Sequence, residues 1–382
     1  MQEITVSQLN EMPKEAYELI DIRDEGSILY GIIPGAVPIQ PEELEEDAEK
    51  YIGAIDRQKI IVVYCQRGQK SVEIAEMLEK YGRECFSLKG GYNAYLMSLI
   101  AEDEEEIHQK QEKAEKSIRK KFHKQIFSPF AKACKTYQLI EEGDHIAVCI
   151  SGGKDSMLMA KLFQEIKRHR KVNFELTFLV MDPGYNKENR ALIESNAKQL
   201  LIPITIFESD IFDAVDTIEK NPCYLCARMR RGHLYSKAKE LGCNKIALGH
   251  HYDDVIETIL MGMLHGGQVQ TMMPKLHSTN FEGMELKRPL YLIREADICK
   301  WRDYNELHFL QCACHFTETC STCHEDGTTS SKRLETKKLI AMLKETNPYV
   351  ESNIFKSVEN VNLRTIIAYK KDGKRYHFLD EY

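Results

Sequence analysis

Apolar segments of strand length alternate with helix-forming segments along most of this chain, and this alternation most constrains the fold. The strand-like segments are residues 17–24, 59–65, 145–150, 174–182 and 245–250. Strands that alternate with helices indicate parallel sheets covered on both faces. We therefore predict an α/β protein with a smaller N-terminal parallel-sheet domain and a larger, doubly wound parallel-sheet domain.

Length and one charged run divide the chain. The 382 residues suffice for two or three domains at about 150 residues each. The acidic run 101–106 marks a boundary, and the lysine-rich segment that follows it is rich in helix-forming residues. We predict a first domain over 1–102, a basic helical linker over 103–135, a second domain over 136–300 and a cysteine-containing extension over 301–382.

Charge and cysteine content narrow the class of protein. The net charge is −7, yet residues 1–100 hold 18 acidic and 10 basic residues, whereas residues 101–382 hold 41 and 42. The second part can therefore present a basic face to nucleic acid. No stretch approaches the roughly 20 apolar residues of a membrane span, and no secretory signal is visible. We expect a cytoplasmic protein whose 12 cysteines ligate metal, carry sulfur or pack in the core.

Cys65 stands where an apolar strand ends and a helix begins. N–H groups at a helix start, together with Arg67 and Lys70, would stabilise a thiolate, a persulfide or a small sulfur oxyanion. A lone cysteine is more often a buried structural residue, but the basic loop favours a reactive one. We predict that Cys65 is catalytic.

The N-terminal segment resembles a rhodanese domain. Asp21–Arg23 matches the D-[VI]-R element of that family, residues 31–39 match its G-H-I-P-G-A element, and residues 65–71 match its active-site loop. Ile32 stands where the family usually has histidine, at a position that is not the nucleophile. The resemblance covers about the first 100 residues and implies a domain that carries sulfur on Cys65.

A glycine-rich stretch, Ser151 to Ser156, follows a buried strand and opens a helix. Its glycines allow close backbone approach, and the free N–H groups of the helix start can bind phosphate. The spacing differs from that of a Walker A loop, and Asp155 follows the lysine. The sequence SGGKDS resembles the pyrophosphate loop of the ATP pyrophosphatase superfamily, whose members cleave ATP between the α and β phosphates and adenylate a carbonyl oxygen.

This resemblance implies an ATP site at the carboxyl ends of the strands. The expected ATP-binding residues are Ser151, Gly152, Gly153, Lys154, Asp155, Ser156, Asp182, Gly249 and His250. Asp253 and Asp254 follow another strand, where carboxylates can hold Mg²⁺ against ATP phosphates. The same residues could cap a helix, and the two roles are compatible.

Cysteines at metal-ligand spacing lie in the second half of the chain. The candidates are Cys223, Cys226, Cys312, Cys314, Cys320 and Cys323. Two thiolates in a C-x-x-C pair can bind a metal ion or cluster, or form a redox pair. Two such pairs could instead close a tetrahedral structural zinc site.

Four segments together resemble the tRNA 2-thiocytidine synthetases: residues 151–156, 223–235, 245–254 and 262–276. Members of that family use ATP, Mg²⁺ and an iron–sulfur cluster held by three cysteines, and typically lack a rhodanese domain. The resemblance implies a [4Fe-4S] cluster. Its ligands would be Cys223, Cys226 and Cys312, with Cys314, Cys320 and Cys323 as alternatives for the third.

The implied function is ATP-dependent tRNA sulfurtransfer. ATP would adenylate the C2 oxygen of a pyrimidine, which is cytidine in that family. Sulfur would then replace the oxygen, delivered from a Cys65 persulfide or from sulfide on the cluster's open iron. The candidate tRNA contacts are Arg119, Lys120, Lys121, Arg228, Arg230 and Arg231. A solvated linker helix is the alternative for the first three.

Two other functions fit the same residues. One is sulfur or selenium transfer to a small molecule by the same adenylation, and the other is a sulfur-carrier scaffold with structural zinc. The expected partners are tRNA and a persulfide donor such as a cysteine desulfurase. The sequence leaves open the modified nucleotide and the oligomeric state, for which a homodimer is one alternative.

Overall fold

The computed structural model describes residues 2–28, 31–99, 104–209, 211, 222–309, 332–380 and 382, with the backbone alone for residues 104 and 222–227. Two α/β units with parallel sheets follow one another along the chain, which confirms the predicted fold class.

The N-terminal unit is built on a five-stranded sheet. Its strands are β1 (Glu3–Ile4), β2 (Tyr17–Asp21), β3 (Val37–Pro38), β4 (Ile60–Tyr64) and β5 (Cys85–Leu88). They are all parallel, in the order β1-β5-β4-β2-β3. β4 lies in the middle of the sheet, and its residues Ile61, Val62 and Val63 are buried on both faces of the sheet. A continuous apolar run is typical of a strand in this position. The helices of this unit are α1 (Val6–Glu11), α2 (Glu25–Ile28), α3 (Pro41–Glu46), α4 (Ala48–Gly53), α5 (Lys70–Glu79) and α6 (Gly91–Ser98), with a 3₁₀ turn at Lys14–Ala16.

The second unit is built on a six-stranded sheet. Its strands are β6 (His145–Ile150), β7 (Glu175–Asp182), β8 (Ile204–Glu208), β9 (Lys245–Ala247), β10 (Lys275–His277) and β11 (Glu285–Lys287). The order is β10-β11-β9-β6-β7-β8, and β10 alone is antiparallel to its neighbour. The chain leaves β6 towards β7 on one side and later places β9 on the other. The carboxyl end of β6 is therefore a topological switch point, where α/β proteins bind ligands.

Helices cover both faces of this second sheet and extend beyond it. They are α7 (Glu104–Arg119), α8 (Ser128–Thr136), α9 (Lys154–Arg168), α10 (Lys187–Gln199), α11 (Pro222–Glu240), α12 (Tyr252–Gly266), α13 (Glu295–Tyr304), α14 (Lys332–Thr346) and α15 (Val350–Ser357). α9 follows β6 and buries Met157, Leu158 and Leu162 completely. This packing places the N-terminus of α9 at the switch point.

Helix α7 lies in the segment predicted as a basic linker, and it packs against the second unit. Ala114 and Ile118 are almost fully buried in the same apolar cluster as α9. The Gln111 side-chain amide donates a hydrogen bond to the carbonyl oxygen of Lys198 on α10 at 3.0 Å. A π-helical turn at His123–Phe127 then leads into α8. One face of α7 is therefore part of the core of the second unit.

The two units touch through an aromatic contact. Tyr95 on α6 packs edge-on against His308, with ring centroids 5.6 Å apart. The Asn196 side chain donates a hydrogen bond to the His308 carbonyl oxygen at 2.9 Å. Burial lowers the pKa of His308 to about 4, so its ring is neutral at physiological pH. The contact fixes the rhodanese-like sheet against α10 through neutral, buried groups.

The chain continues past the second unit into two helices and a hairpin. α14 and α15 pack on α12. A 3₁₀ turn at Leu363–Thr365 leads to strands β12 (Ala368–Lys371) and β13 (Lys374–His377), which pair antiparallel, and a second turn covers Phe378–Asp380. Among the described residues, every helix is too short or too polar to cross a membrane.

Candidate functional site

The glycine-rich loop between β6 and α9 forms a cradle of backbone N–H groups. Gly152 has a φ of 86°, a left-handed conformation that suits glycine. The Ser156 hydroxyl donates to the Gly153 carbonyl oxygen at 2.9 Å and accepts from the Ser151 N–H at 3.2 Å. The first N–H groups of α9 have no partner within the helix and point at the switch point, which favours a bound anion.

Gly249, at the end of the neighbouring strand, closes this cradle on one side. A Cβ atom at position 249 would lie 3.2 Å from the Ser156 nitrogen. Because that approach is tighter than side chains normally tolerate, glycine here lets the two loops meet closely. The two predicted segments, 151–156 and 249–250, therefore come together as the sequence indicated.

Lys154 is the buried cation of the site, with 1% of its side chain exposed. Its Nζ lies 3.1 Å from Glu295 and 3.3 Å from Asp155. Burial alone would raise the pKa of Glu295, but Lys154 and Lys337 outweigh it and lower that pKa to about 2. The second oxygen of Asp155, Oδ1, is buried with no hydrogen-bond partner among the described residues. This oxygen is available to a cation or to a donor on a ligand.

Two consecutive histidines follow β9 and have different roles. His251 caps α12, because its N–H donates to Asp254 at 3.0 Å and its Nδ1 accepts from the Asp254 N–H at 3.4 Å. His250 Nδ1 is buried and has no hydrogen-bond partner in the described part of the chain. Burial, helped by the positive charge of Arg288, lowers the pKa of His250 to about 4 despite the opposing effect of Asp254. His250 therefore presents a neutral ring nitrogen to the site.

The two carboxylates predicted to bind magnesium have protein partners. Asp253 accepts a hydrogen bond from the Glu295 N–H at 2.7 Å and pairs with Arg294 at 2.9 Å. Asp254 pairs with Arg333 at 3.1 Å. The described residues contain no group of three His, Cys, Asp or Glu side chains arranged around a metal position. Magnesium binding at Asp253 and Asp254 stays a prediction, and it would have to compete with these arginines.

Asp182 shapes the loop on the other side of the crevice. Its Oδ1 accepts hydrogen bonds from the N–H groups of Gly184 at 3.0 Å and Tyr185 at 2.7 Å. Its Oδ2 pairs with Arg190 at 3.1 Å. These contacts fix the turn after β7, so Asp182 lies at the expected edge of the sheet with its carboxylate occupied by protein groups.

Protonation of the buried Glu257 makes the free energy of unfolding of the protein depend on pH. Burial raises the pKa of Glu257 to about 7, although Arg333 lies 3.5 Å away. A glutamate in an unfolded chain has a pKa of about 4.3, so the stability from neutral Glu257 is full below that value and is lost as the pH rises through about 7. We expect Glu257→Gln to raise the free energy of unfolding near pH 8 by about 1–3 kcal/mol and to flatten its pH dependence.

Urea unfolding between about pH 5 and 8 measures this effect. Glu282→Gln is the matched control, because Glu282 is exposed. A stability profile of Glu257→Gln that falls with pH as steeply as the wild-type profile would contradict the assignment.

Cys65 lies in a second cradle, at the carboxyl end of β4. Its Sγ accepts a hydrogen bond from the Gly68 N–H at 3.2 Å and lies 3.5 Å from the Ser71 hydroxyl. The loop rests on the start of α6, where the Tyr92 N–H donates to the Cys65 carbonyl oxygen at 2.9 Å. A Cβ atom on Gly91 would lie 2.3 Å from that same oxygen. The loop therefore closes around the sulfur, as expected for a carrier of anionic sulfur.

Asp21 and Arg23, from the D-[VI]-R element, form a buried ion pair in the same domain. The guanidinium pairs with the carboxylate at 2.6 Å and lies 3.7 Å from the centre of the Tyr92 ring. The Tyr64 hydroxyl donates to Asp21 at 2.7 Å. This network links β2, β4 and α6, so the D-[VI]-R element helps to hold the framework of the domain together.

The other cysteines divide into two groups. Cys134 and Cys149 are buried, and burial raises the pKa of each to about 12, as expected of packing residues. Cys223 and Cys226 lie in the first turns of α11, but their side chains are outside the described residues. The remaining candidate ligands, Cys312, Cys314, Cys320 and Cys323, also lie outside them.

The candidate tRNA contacts differ in availability. Arg119 pairs with Glu165 at 2.9 Å and with Glu115, whereas Lys120 and Lys121 are exposed. Lys121 Nζ lies 3.7 Å from the centre of the Tyr304 ring. On α11, Arg228 and Arg231 are exposed, and Arg230 donates a hydrogen bond to the Tyr185 hydroxyl at 3.2 Å. The Arg119 guanidinium is therefore held by two carboxylates, whereas Lys120 and Lys121 have no acidic partner among the described residues. Binding of tRNA by these three residues stays a prediction.

Three residues that pair with predicted site residues, or with each other beside them, were missed by sequence reasoning: Glu295, Arg333 and Lys337. Glu295 begins α13, so an acidic residue in a first helical turn was the available signal. Arg333 and Lys337 come from α14 and pair with Asp254 and Glu295. No local pattern marks them, because their partners are distant in sequence.

Comparison with known proteins agrees with this geometry. Residues 116–314 match the PP-loop domain family, and residues 5–98 match the rhodanese-like domain family. The tRNA-cytidine(32) 2-sulfurtransferase of Psychrobacter sp. (strain PRwf-1) is 34% identical over 270 residues, which cover 68% of this chain and 68% of that protein. That of Syntrophotalea carbinolica is 32% identical over 240 residues, covering 62% and 88%.

One solved structure with a similar fold is the U34-tRNA thiolase NcsA from Methanococcus maripaludis with its [4Fe-4S] cluster. It shares 21% identity and a TM-score of 0.47, covering 62% of this chain and 79% of that one. The PP-loop match spans more than half of this chain, and the sulfurtransferases are matched over two thirds or more of their length. The chain therefore belongs to the PP-loop family of the tRNA-cytidine(32) 2-sulfurtransferases and carries a rhodanese-like domain in front of it.

Proposed function

We propose that this protein is an ATP-dependent sulfurtransferase that converts a tRNA cytidine to 2-thiocytidine. The observation that carries the proposal is the anion cradle at Ser151–Ser156, closed by Gly249 and lined by the buried Lys154. Relatives of this chain are named tRNA-cytidine(32) 2-sulfurtransferase.

The cradle suits adenylation of a base. Loop N–H groups and Lys154 would bind the departing pyrophosphate, while the C2 oxygen of cytidine attacks the α-phosphate of ATP. The bond between the α-phosphorus and the bridging oxygen breaks, pyrophosphate leaves, and the base carries AMP on O2. A sulfur nucleophile then attacks C2 and AMP departs with the original oxygen. Fixed positive groups lower the energy of the charge that develops on the leaving pyrophosphate.

Cys65 would supply the sulfur as a persulfide. Its Sγ lies among the Gly68 N–H and the Ser71 hydroxyl, which can donate hydrogen bonds to an anionic terminal sulfur. Release of that sulfur cleaves the S–S bond, which consumes two electrons from a thiol reductant and regenerates the Cys65 thiol. A persulfide donor such as a cysteine desulfurase would load Cys65, and we propose that the reaction takes place in the cytoplasm.

Two inorganic cofactors complete the proposal. Mg²⁺ would be held near Asp155, whose Oδ1 lacks a partner among the described residues, and near Asp253 and Asp254. Cys223 and Cys226 at the start of α11, with Cys312 as the third ligand, would hold a [4Fe-4S] cluster. Three protein thiolates leave one iron able to bind an external sulfur ligand.

We expect anaerobic reconstitution with iron and sulfide to give about four irons per chain and a visible charge-transfer band that fades in air. Cys223→Ala and Cys226→Ala should each lose the band, whereas Cys149→Ala, which changes a buried packing thiol, should keep it. Bound zinc without iron would contradict the cluster. Loss of the band in Cys314→Ala but not in Cys312→Ala would reassign the third ligand.

The function itself is tested by mass spectrometry of nucleosides from tRNA incubated with the protein, ATP, Mg²⁺ and a sulfur source. We expect 2-thiocytidine together with equal amounts of AMP and pyrophosphate. Thiolated small molecules with unmodified tRNA would contradict the proposal.

A further inference from the structure

The hairpin over residues 368–377, called here the C-terminal ribbon, is a separate small structure. β12 and β13 pair in register from Ala368 opposite His377 to Lys371 opposite Lys374. Asp372 and Gly373 join them with φ values of 50° and 76°. Two consecutive left-handed residues form the type I′ turn that suits a two-residue hairpin. The register of the ribbon is therefore fixed by its own sequence.

The ribbon places like charges directly opposite each other. Lys370 faces Arg375 across the strands, and Lys371 faces Lys374. All four side chains are exposed, and none has an anionic partner in the part of the chain that the structure describes. Facing like charges destabilise an antiparallel pair, so this arrangement opposes the folding of the ribbon. The same arrangement of charges becomes favourable when a polyanion from another molecule neutralises the four cations.

An aromatic platform adjoins these cations. Tyr369 and Tyr376 are opposite each other, with ring centroids 5.0 Å apart and an interplanar angle of 13°. Because side chains alternate along a strand, the tyrosines share one face of the ribbon with Lys371 and Lys374. Flat aromatic rings beside cations are the combination that binds bases and phosphates together.

We infer that the C-terminal ribbon is an RNA-binding element that contacts the phosphate backbone of the tRNA and stacks an unpaired base on its tyrosines. The inference rests on the proposed function for the identity of the RNA. The whole chain has a net charge of −7, so the ribbon's attraction for RNA is local. It adds a contact surface remote in sequence from the PP-loop match, which ends at residue 314.

The test uses the full-length protein and unmodified tRNA, with the dissociation constant measured over a series of salt concentrations. The variant replaces Lys370, Lys371, Lys374 and Arg375 with Gln. Its matched control replaces four exposed lysines of the rhodanese-like domain with Gln, namely Lys14, Lys50, Lys80 and Lys89. Both variants change the net charge equally.

We expect the ribbon variant to bind tRNA at least about tenfold more weakly near 0.1 M salt and to lower the salt-dependence slope by about 3, since each phosphate contact contributes about 0.7–0.9. The control should keep the wild-type slope. Removal of facing like charges should leave the melting temperature equal or higher, which separates lost contacts from lost folding. Tyr369→Leu with Tyr376→Leu should weaken binding at least about fivefold, and Phe at both positions should restore it.

Unchanged tRNA affinity and salt slope in the Gln variant would overturn the inference. So would a change in sedimentation that leaves tRNA binding intact, because the ribbon would then be a surface for self-association. The rate of thiolation, measured as a function of tRNA concentration, distinguishes the two proposals. The ribbon variant should have a higher KM for tRNA and the same kcat as the wild type. A wild-type protein that binds tRNA but makes no 2-thiocytidine would refute the proposed function and leave the ribbon measurement valid.

Discussion

Replacement of Lys154 by Met is expected to reduce pyrophosphate and AMP formation at least about 100-fold, the scale of losing one fixed charge from a reacting centre. Lys154 is 1% exposed and is held between Asp155 and Glu295 at the start of α9. A neutral side chain of similar length keeps the packing but cannot neutralise a departing phosphate. Formation of labelled AMP from α-labelled ATP, and of labelled pyrophosphate from γ-labelled ATP, measured with unmodified tRNA present, reports the effect.

Lys161→Met is the matched control for this experiment. Lys161 is also buried on α9, where it pairs with Glu115 at 3.0 Å on the side facing α7. Its replacement should lower the melting temperature, as the loss of one partner of a buried ion pair does, and should leave the rates of AMP and pyrophosphate formation close to those of the wild type. If the wild-type enzyme split ATP to ADP and phosphate, adenylation would be wrong whatever the variants do.

Cys65→Ser is expected to reduce thiolation fed by a persulfide donor at least about 100-fold, because serine cannot form a persulfide at any pH. ATP binding should persist, since the β4 loop and the ATP cradle belong to different sheets. Excess inorganic sulfide should restore thiolation, because free sulfide can reach the adenylated base without a carrier.

Cys85→Ala provides the comparison within the same domain. Cys85 is buried, and burial raises the pKa of its thiol to about 12, so it should carry no sulfur. Full turnover of Cys65→Ser with a persulfide donor and no free sulfide would remove the rhodanese-like domain from the sulfur path.

The parts of the protein that sequence reasoning recovered are those with local causes. β6 and the start of α9 are adjacent in the chain, so an apolar run, glycines and a helix start predict the cradle almost completely. Cys65 and Ser71, at the start of α5, lie six residues apart, so their juxtaposition is local too. The many lysines and glutamates of α7 led to the prediction of a linker helix rather than a packed one. The buried face was nevertheless visible in the sequence, because Ile107, Gln111, Ala114 and Ile118 recur at helical spacing.

The parts that it did not recover depend on distant partners. Arg333 reaches Asp254 from 79 residues away, and Lys337 reaches Glu295 from 42 residues away. An exposed arginine on a helix looks the same in sequence whether it meets solvent or a carboxylate. The ion pairs of Asp253 and Arg119 could not be predicted for the same reason. Ion pairs depend on tertiary packing, which no short window of sequence contains.

The short join between the two sheets determines how the sulfur carrier can work. Four residues separate Leu99, after α6, from Glu104, where α7 begins. A chain of that length spans at most about 18 Å even when fully extended. Because α7 is held in the core of the second unit, the rhodanese-like domain cannot move far from it. Under the proposed function, a persulfide donor would therefore have to dock on this domain where it stands, at a face that includes the rim of the Cys65 loop.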